Sequence, residues 1–170
     1  MGRARATGVV KLGEDAGAWT SVGIARGAGR DFFFPEYRSD PRSANPELDA
    51  KGVPTDGNVR GSDGFSAGTI SGRAWWKWVT VQAFLTSRTK AIPTGAFESI
   101  LGDPRSKVRD TRGFVELRVE PKIGARAESL SRVHANLYDF YGTYGSAAPV
   151  GLATEAVSYT HLRAHETVLD

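Results

Sequence analysis

A serine at position 66 lies at the centre of the sequence GFSAG, which fits the pattern Gly-x-Ser-x-Gly. In α/β-hydrolases this pattern forms the sharp turn that presents a nucleophilic serine, and an acid and then a histidine follow it along the chain. Asp110 and His134 supply that order here. The segment before the pattern is polar rather than the hydrophobic strand that holds such a turn. A serine hydrolase that uses Ser66, Asp110 and His134 is therefore kept as an alternative.

A second group of residues indicates binding rather than catalysis. Arginine and lysine bind the phosphates of RNA, and an exposed aromatic ring can stack on an unpaired base. The chain has three tryptophans close together, Trp75, Trp76 and Trp78, which suit either a core or a stacking surface. The basic residues around them, which the family resemblance given below makes candidates for RNA binding, are Arg73, Lys77, Arg88, Arg105, Lys107, Arg109 and Arg112.

These residues need an element that presents them together. Ser71 is a suitable N-cap, and the run from Gly72 to Ser87 contains no helix-breaking proline, so we expect a helix of about four turns. On that helix Arg73, Lys77 and Arg88 fall within an arc of about 80°. The pattern thus predicts a tryptophan-rich helix with one cationic edge in water.

Strand patterns lie on both sides of this helix. Short strands are expected from Thr7 to Leu12 and from Trp19 to Ala25, joined by a turn-rich connection from Gly13 to Gly17. The segment Phe114–Glu120 alternates apolar and charged residues with period two, which is typical of a half-buried strand. Residues Arg126–Tyr144 fit either a helix or a strand, and we favour a helix.

The order of these features resembles the first half of a RAMP domain, the RNA-binding unit of type III CRISPR effector complexes. The resemblance covers Gly68–Pro121 and rests on the sequence GRAWWK at residues 72–77, on Glu98 and Gly102, and on the step from Ser106 into a strand. It implies an α+β, ferredoxin-like antiparallel sheet with packed helices. It also implies a non-catalytic, cytoplasmic RNA-binding subunit. Its partners would be single-stranded RNA and other effector subunits.

Domain organisation follows from composition. The segments are expected to be N-terminal strands in residues 1–34, a flexible proline-rich insertion in 35–64, and a domain core in 65–156. Residues 157–170 resemble translated sequencing adapter, and we expect this tail to be non-native.

The remaining composition restricts the possible functions. The chain has 170 residues, a formal net charge of +3 and no cysteine, so disulfides and thiolate metal sites are excluded and no cofactor or metal is expected. No apolar run approaches the roughly 18 residues of a membrane helix, and we expect no membrane partner. A third class, a β-rich envelope or virion structural protein, is indicated by the glycine-rich N-terminal half and the tyrosines of Tyr138–Tyr144.

Overall fold

The computed structural model describes residues 1–38, 56–124, 127–148 and 151–169. Seven long strands form one antiparallel sheet in the order β1-β2-β5-β6-β7-β10-β11. Two small hairpins, β3–β4 and β8–β9, lie in the connections. The strands are β1 Gly2–Lys11, β2 Ala16–Gly27, β3 Phe32–Phe33, β4 Asn58–Val59, β5 Phe65–Trp76, β6 Val79–Ala91, β7 Lys107–Val119, β8 Lys122–Ile123, β9 Ala127–Glu128, β10 Leu130–Ala148 and β11 Gly151–Leu169.

The long strands run up and down, so the connections fall at two opposite ends of the sheet. At one end, the short-turn end, residues 12–15 join β1 to β2 and residues 77–78 join β5 to β6. At the other, the long-loop end, residues 28–64 join β2 to β5 and residues 92–106 join β6 to β7. The longest connections therefore lie at one edge of the molecule.

The predicted α+β, ferredoxin-like fold is wrong, because the described residues form strands and only two single-turn 3₁₀ helices, Pro35–Tyr37 and Ala96–Glu98. The predicted tryptophan-rich helix is instead the end of β5, a two-residue loop and most of β6. Val79, Val81 and Leu85 alternate with polar residues, and strand pairing uses this period of two. None of the helical segments in the described part of the chain is long or apolar enough to cross a membrane.

The helix favoured for Arg126–Tyr144 is also wrong, since Leu130–Ala148 is the long strand β10. Part of the predicted flexible insertion, residues 39–55, lies outside the described residues, while 56–64 contain β4, which pairs with β3. Residues 157–169 of the predicted non-native tail lie in β11, paired with β10. Their origin stays a prediction.

Buried apolar side chains are found at the long-loop end rather than over the sheet. Among the described residues they are Val59, Ile100 and Tyr144. Phe97 packs edge-on against Tyr144, with ring centroids 4.9 Å apart. The fully buried Ser106 hydroxyl accepts a hydrogen bond of 3.0 Å from the amide of Gly145. This small cap fixes the long loops, and no other described segment packs over either face of the sheet.

Candidate functional site

The two faces of the sheet differ sharply in chemistry. Because successive side chains of a strand point to opposite faces, the register assigns each residue to one face. Ala74, Val81, Leu117 and Val133 are cross-strand neighbours in one row and lie on the same face. We call this the apolar face, and its apolar side chains are Ala4, Ala6, Val10, Ala18, Val22, Ile24, Ile70, Ala74, Trp76, Val79, Val81, Ala83, Leu85, Val115, Leu117, Val119, Val133, Ala135 and Leu137.

The apolar face is also the more exposed one. Most of its larger side chains are exposed, from Leu117 at 42% to Trp76 at 64%, whereas Val79, Val119 and Leu137 are half-buried. On β5 and β6 exposure alternates with position, and the exposed positions are mainly the apolar ones. A sheet that contacts water normally shows the reverse, with apolar side chains inside and polar ones outside. A continuous apolar patch of this kind marks a surface that contacts something other than water.

The apolar band has limits along the strands. Four successive rows, from that of Trp76 to that of Ile70, carry apolar or small residues on the central strands. Four residues further along, the row of Ser66, Thr89 and Arg109 is polar. Trp76 and Trp78 lie at the short-turn end of the band, and Tyr141, paired in register with Arg109, lies at the long-loop end. Aromatic residues therefore lie at both limits of the apolar band.

The opposite face, which we call the polar face, carries a hydrogen-bonded network and also the apolar side chains of Val9, Trp19, Trp75, Phe84 and Phe114. Gln82 Nε2 donates to Glu116 Oε1 at 2.8 Å, and Arg132 Nε lies 3.4 Å from Glu116 Oε2. Tyr138 donates its hydroxyl to Asp110 at 3.2 Å. The two carboxylates are largely shielded, with the Glu116 side chain 13% exposed and that of Asp110 21% exposed. Several polar side chains thus pair across the strands, whereas Arg118 Nε and Arg132 Nε are buried without a hydrogen-bond partner among the described residues.

The charge on the polar face is predominantly positive. Its acidic side chains, among those that the structure describes, are Asp110 and Glu116. Its basic side chains are Arg3, Arg5, Lys11, Arg73, Arg88, Lys90, Arg112, Arg118 and Arg132. Arg88, Lys90, Arg118 and Arg132 are paired with Asp110, Asp63, Glu120 and Glu116, respectively. The other five bases form no ion pair among the described residues, so the face is suited to contact anions.

The structure does not bring the three hydrolase candidates together. Ser66 lies within β5 on the same side of the sheet as the apolar face, whereas Asp110 and His134 lie on the polar face. Asp110 pairs with Phe140, so His134 is about 20 Å further along β10. A triad needs the nucleophile and the base within hydrogen-bond reach. Ser66 lies within strand β5 and not on the sharp turn that exposes the nucleophilic serine of an α/β-hydrolase.

The candidate RNA-binding residues are divided among three places. Arg73, Arg88 and Arg112 lie on the polar face, where Arg88 is 3.4 Å from Asp110 and Arg112 lies over the Tyr138 ring, 5.1 Å from its centroid. Lys107 and Arg109 lie on the other side of the sheet, beyond the apolar band. The predicted single cationic edge does not form.

Lys77 and Arg105 lie in connections. The Lys77 ammonium lies 5.4 Å from the centroid of Trp76, in the turn between β5 and β6. Arg105 donates to both carboxylate oxygens of Asp103, with Nη2 at 2.5 Å from Oδ2. This guanidinium holds the pKa of Asp103 below its usual value. Arg105 therefore stabilises the β6–β7 loop.

The apolar face was not predicted from the sequence, although one signal for it is present. In β6 the apolar residues Val79, Val81, Ala83 and Leu85 alternate with mainly polar ones, as in a strand with one apolar face. The basic residues Arg3 and Arg5 on β1 were also missed, since no nearby motif marked them.

Among the described residues no group of three or more metal-ligating side chains comes together. No protein-family model, curated protein or solved structure matches the chain.

Proposed function

We propose that this chain is a structural segment of a cell-envelope protein whose apolar face contacts the acyl chains of a membrane. The observation that carries the proposal is the exposure of the apolar face, where the central side chains Ile70, Val81, Leu85, Val115 and Leu117 are each more than 40% exposed. Lipid-facing sheets of membrane proteins have this arrangement, because acyl chains cannot hydrogen-bond to polar side chains. The fully paired backbone of the central strands supports the same conclusion.

The dimensions of the apolar face support lipid as the occupant. The apolar band from the row of Trp76 to the row of Ile70 is six residues long, or about 20 Å, and the row of Tyr141 lies four residues beyond it. Strands that cross a membrane need about 9–11 residues at a tilt. Tryptophan and tyrosine are enriched where acyl chains meet headgroups, because their rings are apolar and their N–H or O–H groups are polar. Trp76 and Tyr141 lie at those two levels.

The ends of the sheet agree with this orientation. The two longest connections, residues 28–64 and 92–106, lie at the end beside Tyr141, while residues 12–15, 77–78 and 120–129 connect strands at the end beside Trp76. Lipid-facing sheets likewise have their longer loops on one side. The sequence led us to expect a cytoplasmic protein without a membrane partner, and the proposal differs from that expectation. The expectation itself stays a prediction.

Dilution of the urea-unfolded chain into phosphatidylcholine vesicles tests the proposal. We expect the chain to float with the vesicles, to gain strand signal in circular dichroism, and to remain bound in 1 M salt, because apolar contact is insensitive to screening. A chain that stays in the aqueous fraction as a stable folded dimer would instead show that a second copy covers the apolar face.

We propose RNA binding as the second candidate, as the likeness to the RAMP family implies. The supporting observation is the excess of basic side chains on the polar face, which includes Arg73, Arg88 and Arg112. The tryptophan-rich helix on which the likeness rested is absent from the described fold, so only the charge of this face supports the candidate. Membership of a CRISPR effector complex remains a proposal.

Fluorescence anisotropy with a labelled single-stranded RNA tests this candidate. If the polar face binds RNA, replacing Arg73 and Arg112 by alanine weakens binding and lowers the slope of log affinity against log salt by about 0.7 per lost phosphate contact. Lys107→Ala is the matched control, because it removes a charge from the opposite side of the sheet. Equal losses in both variants, or no binding by the parent chain, would rule out the polar face as the RNA site.

A further inference from the structure

A cleft lies on the polar face beside the edge strand β1. It has a volume of about 510 Å³ and opens between β1, β2 and β5. The polar-face residues that line it are Arg3, Arg5, Gly23, Ala25, Ala67 and Thr69. None of them belongs to the network around Glu116, so the cleft is separate from the groups described above.

Small residues form the floor of the cleft. Arg3 is in register with Ala25 and then Ala67, and Arg5 is in register with Gly23 and then Thr69. A Cβ atom added at Gly23 would meet only the carbonyl oxygen of Ala4, at 3.8 Å. The space above β2 therefore exists because large side chains are missing from two adjacent rows.

Two guanidinium groups flank this space without acidic partners. Arg3 and Arg5 lie two residues apart on the same side of β1, about 6.7 Å along the strand. Within the part of the chain that the structure describes, neither forms an ion pair. Both are exposed and reachable from solvent. Two neighbouring unpaired arginines make the cleft a positive concavity.

The same two rows lead to further arginines across the sheet. The row of Arg3 continues to Arg88, and the row of Arg5 continues to Arg112. Arg88 is 3.4 Å from Asp110, whereas Arg112 stacks on Tyr138 and has no ion pair among the described residues. Positive charge therefore lies on both sides of the small-residue floor. The carboxylate of Asp110, in the same row as Arg3, is already paired with Arg88.

We propose that this cleft binds a small anion that carries at least two phosphate groups. A guanidinium group donates two parallel hydrogen bonds to a phosphate, so Arg3 and Arg5 suit adjacent phosphates of one ligand. The open floor provides room for the remainder of the ligand over Gly23 and Ala25. The same phosphate chemistry is present in soluble polyphosphates and in phosphorylated lipid headgroups, and the experiment separates these sources.

Isothermal titration calorimetry with inorganic tripolyphosphate, on the folded chain, tests the proposal. Arg3→Gln with Arg5→Gln is expected to weaken binding at least tenfold. Lys11→Gln is the matched control, because Lys11 lies on the same strand and the same face outside the cleft. We expect the control to change affinity less than twofold. Equal losses in the two variants would show only a general charge effect and overturn the proposal.

A second variant tests the shape of the cleft while keeping its charge. Gly23→Val fills the floor and is expected to weaken tripolyphosphate binding at least fivefold, with the strand signal in circular dichroism unchanged. Unaltered affinity would show that the ligand does not enter the cleft. Binding only to vesicles that contain phosphatidylinositol bisphosphate would identify a headgroup as the ligand, whereas binding of tripolyphosphate in solution identifies a soluble one. Neither variant alters the apolar face, so the vesicle experiment on that face is independent of this one.

Discussion

Replacing Val81 by arginine is expected to prevent most of the chain from inserting into lipid vesicles. Val81 lies within the apolar band, between Ala74 and Leu117 in register, and its side chain is 43% exposed. An arginine near the middle of a lipid-facing sheet costs about 2–4 kcal/mol. That cost corresponds to a loss of about 30- to 700-fold in the equilibrium constant for insertion. Urea titration of vesicle-bound chain, followed by circular dichroism and flotation, measures this loss.

Gln82→Arg is the matched control for this prediction. Gln82 is the next residue of β6, so it points to the polar face, and it donates to Glu116 at 2.8 Å. An arginine there can pair with the same carboxylate, so we expect less than about 1 kcal/mol of change. The two variants add the same charge to the same strand one residue apart. If both lose insertion equally, the apolar face does not contact lipid.

The pair of variants also separates the possible occupants of the apolar face. A second copy of the chain on that face would make Val81→Arg dissociate a dimer in water, without any dependence on vesicles. Binding of RNA to the polar face would leave Val81→Arg neutral or slightly favourable and would make Gln82→Arg strengthen binding. Lipid contact alone predicts a large effect of the first variant that appears only when vesicles are present.

The sequence predicted strands better where the alternation of residue types is simple. The strand expected at Phe114–Glu120 lies almost entirely within β7, and that expected at Trp19–Ala25 lies within β2. In the first segment Val115, Leu117 and Val119 point to one face, and Glu116 and Arg118 point to the other. Period-two alternation of this type is read correctly from local sequence.

The hairpin of β5 and β6 was missed because its turn has no turn signal. Two-residue hairpin loops favour asparagine or glycine, since these residues adopt a positive φ readily. Here the loop is Lys77–Trp78, and Lys77 has φ of 52°. The three neighbouring tryptophans placed apolar side chains on both faces of a possible strand. The alternation of apolar and polar residues that is typical of a strand was therefore obscured. Pairing with β2 and β7 decides the conformation, and such long-range contacts are not visible in a local pattern.

The grouping of the basic residues failed for the same reason. A helix places Arg73, Lys77 and Arg88 on one edge, while a hairpin places Lys77 in the turn. In β7 the residues Arg109 and Arg112 are an odd number of positions apart, so a strand separates them onto opposite faces. The types of side chain were identified correctly, but their arrangement depends on the secondary structure.

Replacing Gly29 by alanine is expected to destabilise the long-loop end of the sheet more than replacing Gly61 by alanine. Gly29 follows β2 and has φ of 88°, where an L side chain is strained. An added Cβ would lie 2.5 Å from the carbonyl carbon of Asp63 and 2.5 Å from the amide nitrogen of Gly64. These are backbone atoms, so the clash is not relieved by a rotamer change.

The displacement required by that clash would also affect β6. Gly64 accepts a hydrogen bond of 2.9 Å from the amide of Ala91, and Asp63 pairs with Lys90. Left-handed strain and forced backbone movement together correspond to about 2–5 kcal/mol of folding free energy. Urea unfolding followed by circular dichroism, under the conditions in which the parent chain folds, gives the difference directly.

Gly61→Ala separates backbone strain from the clash. Gly61 also has a positive φ, 63°, but an added Cβ there would meet no atom within 4 Å. We expect a loss of about 1–2 kcal/mol from the conformation alone. The excess for Gly29→Ala measures how firmly Asp63 and Gly64 hold the end of β2 beside the start of β5. An equal loss in both variants would show that these residues move aside freely, and that the long connection does not fix the two strands at this end.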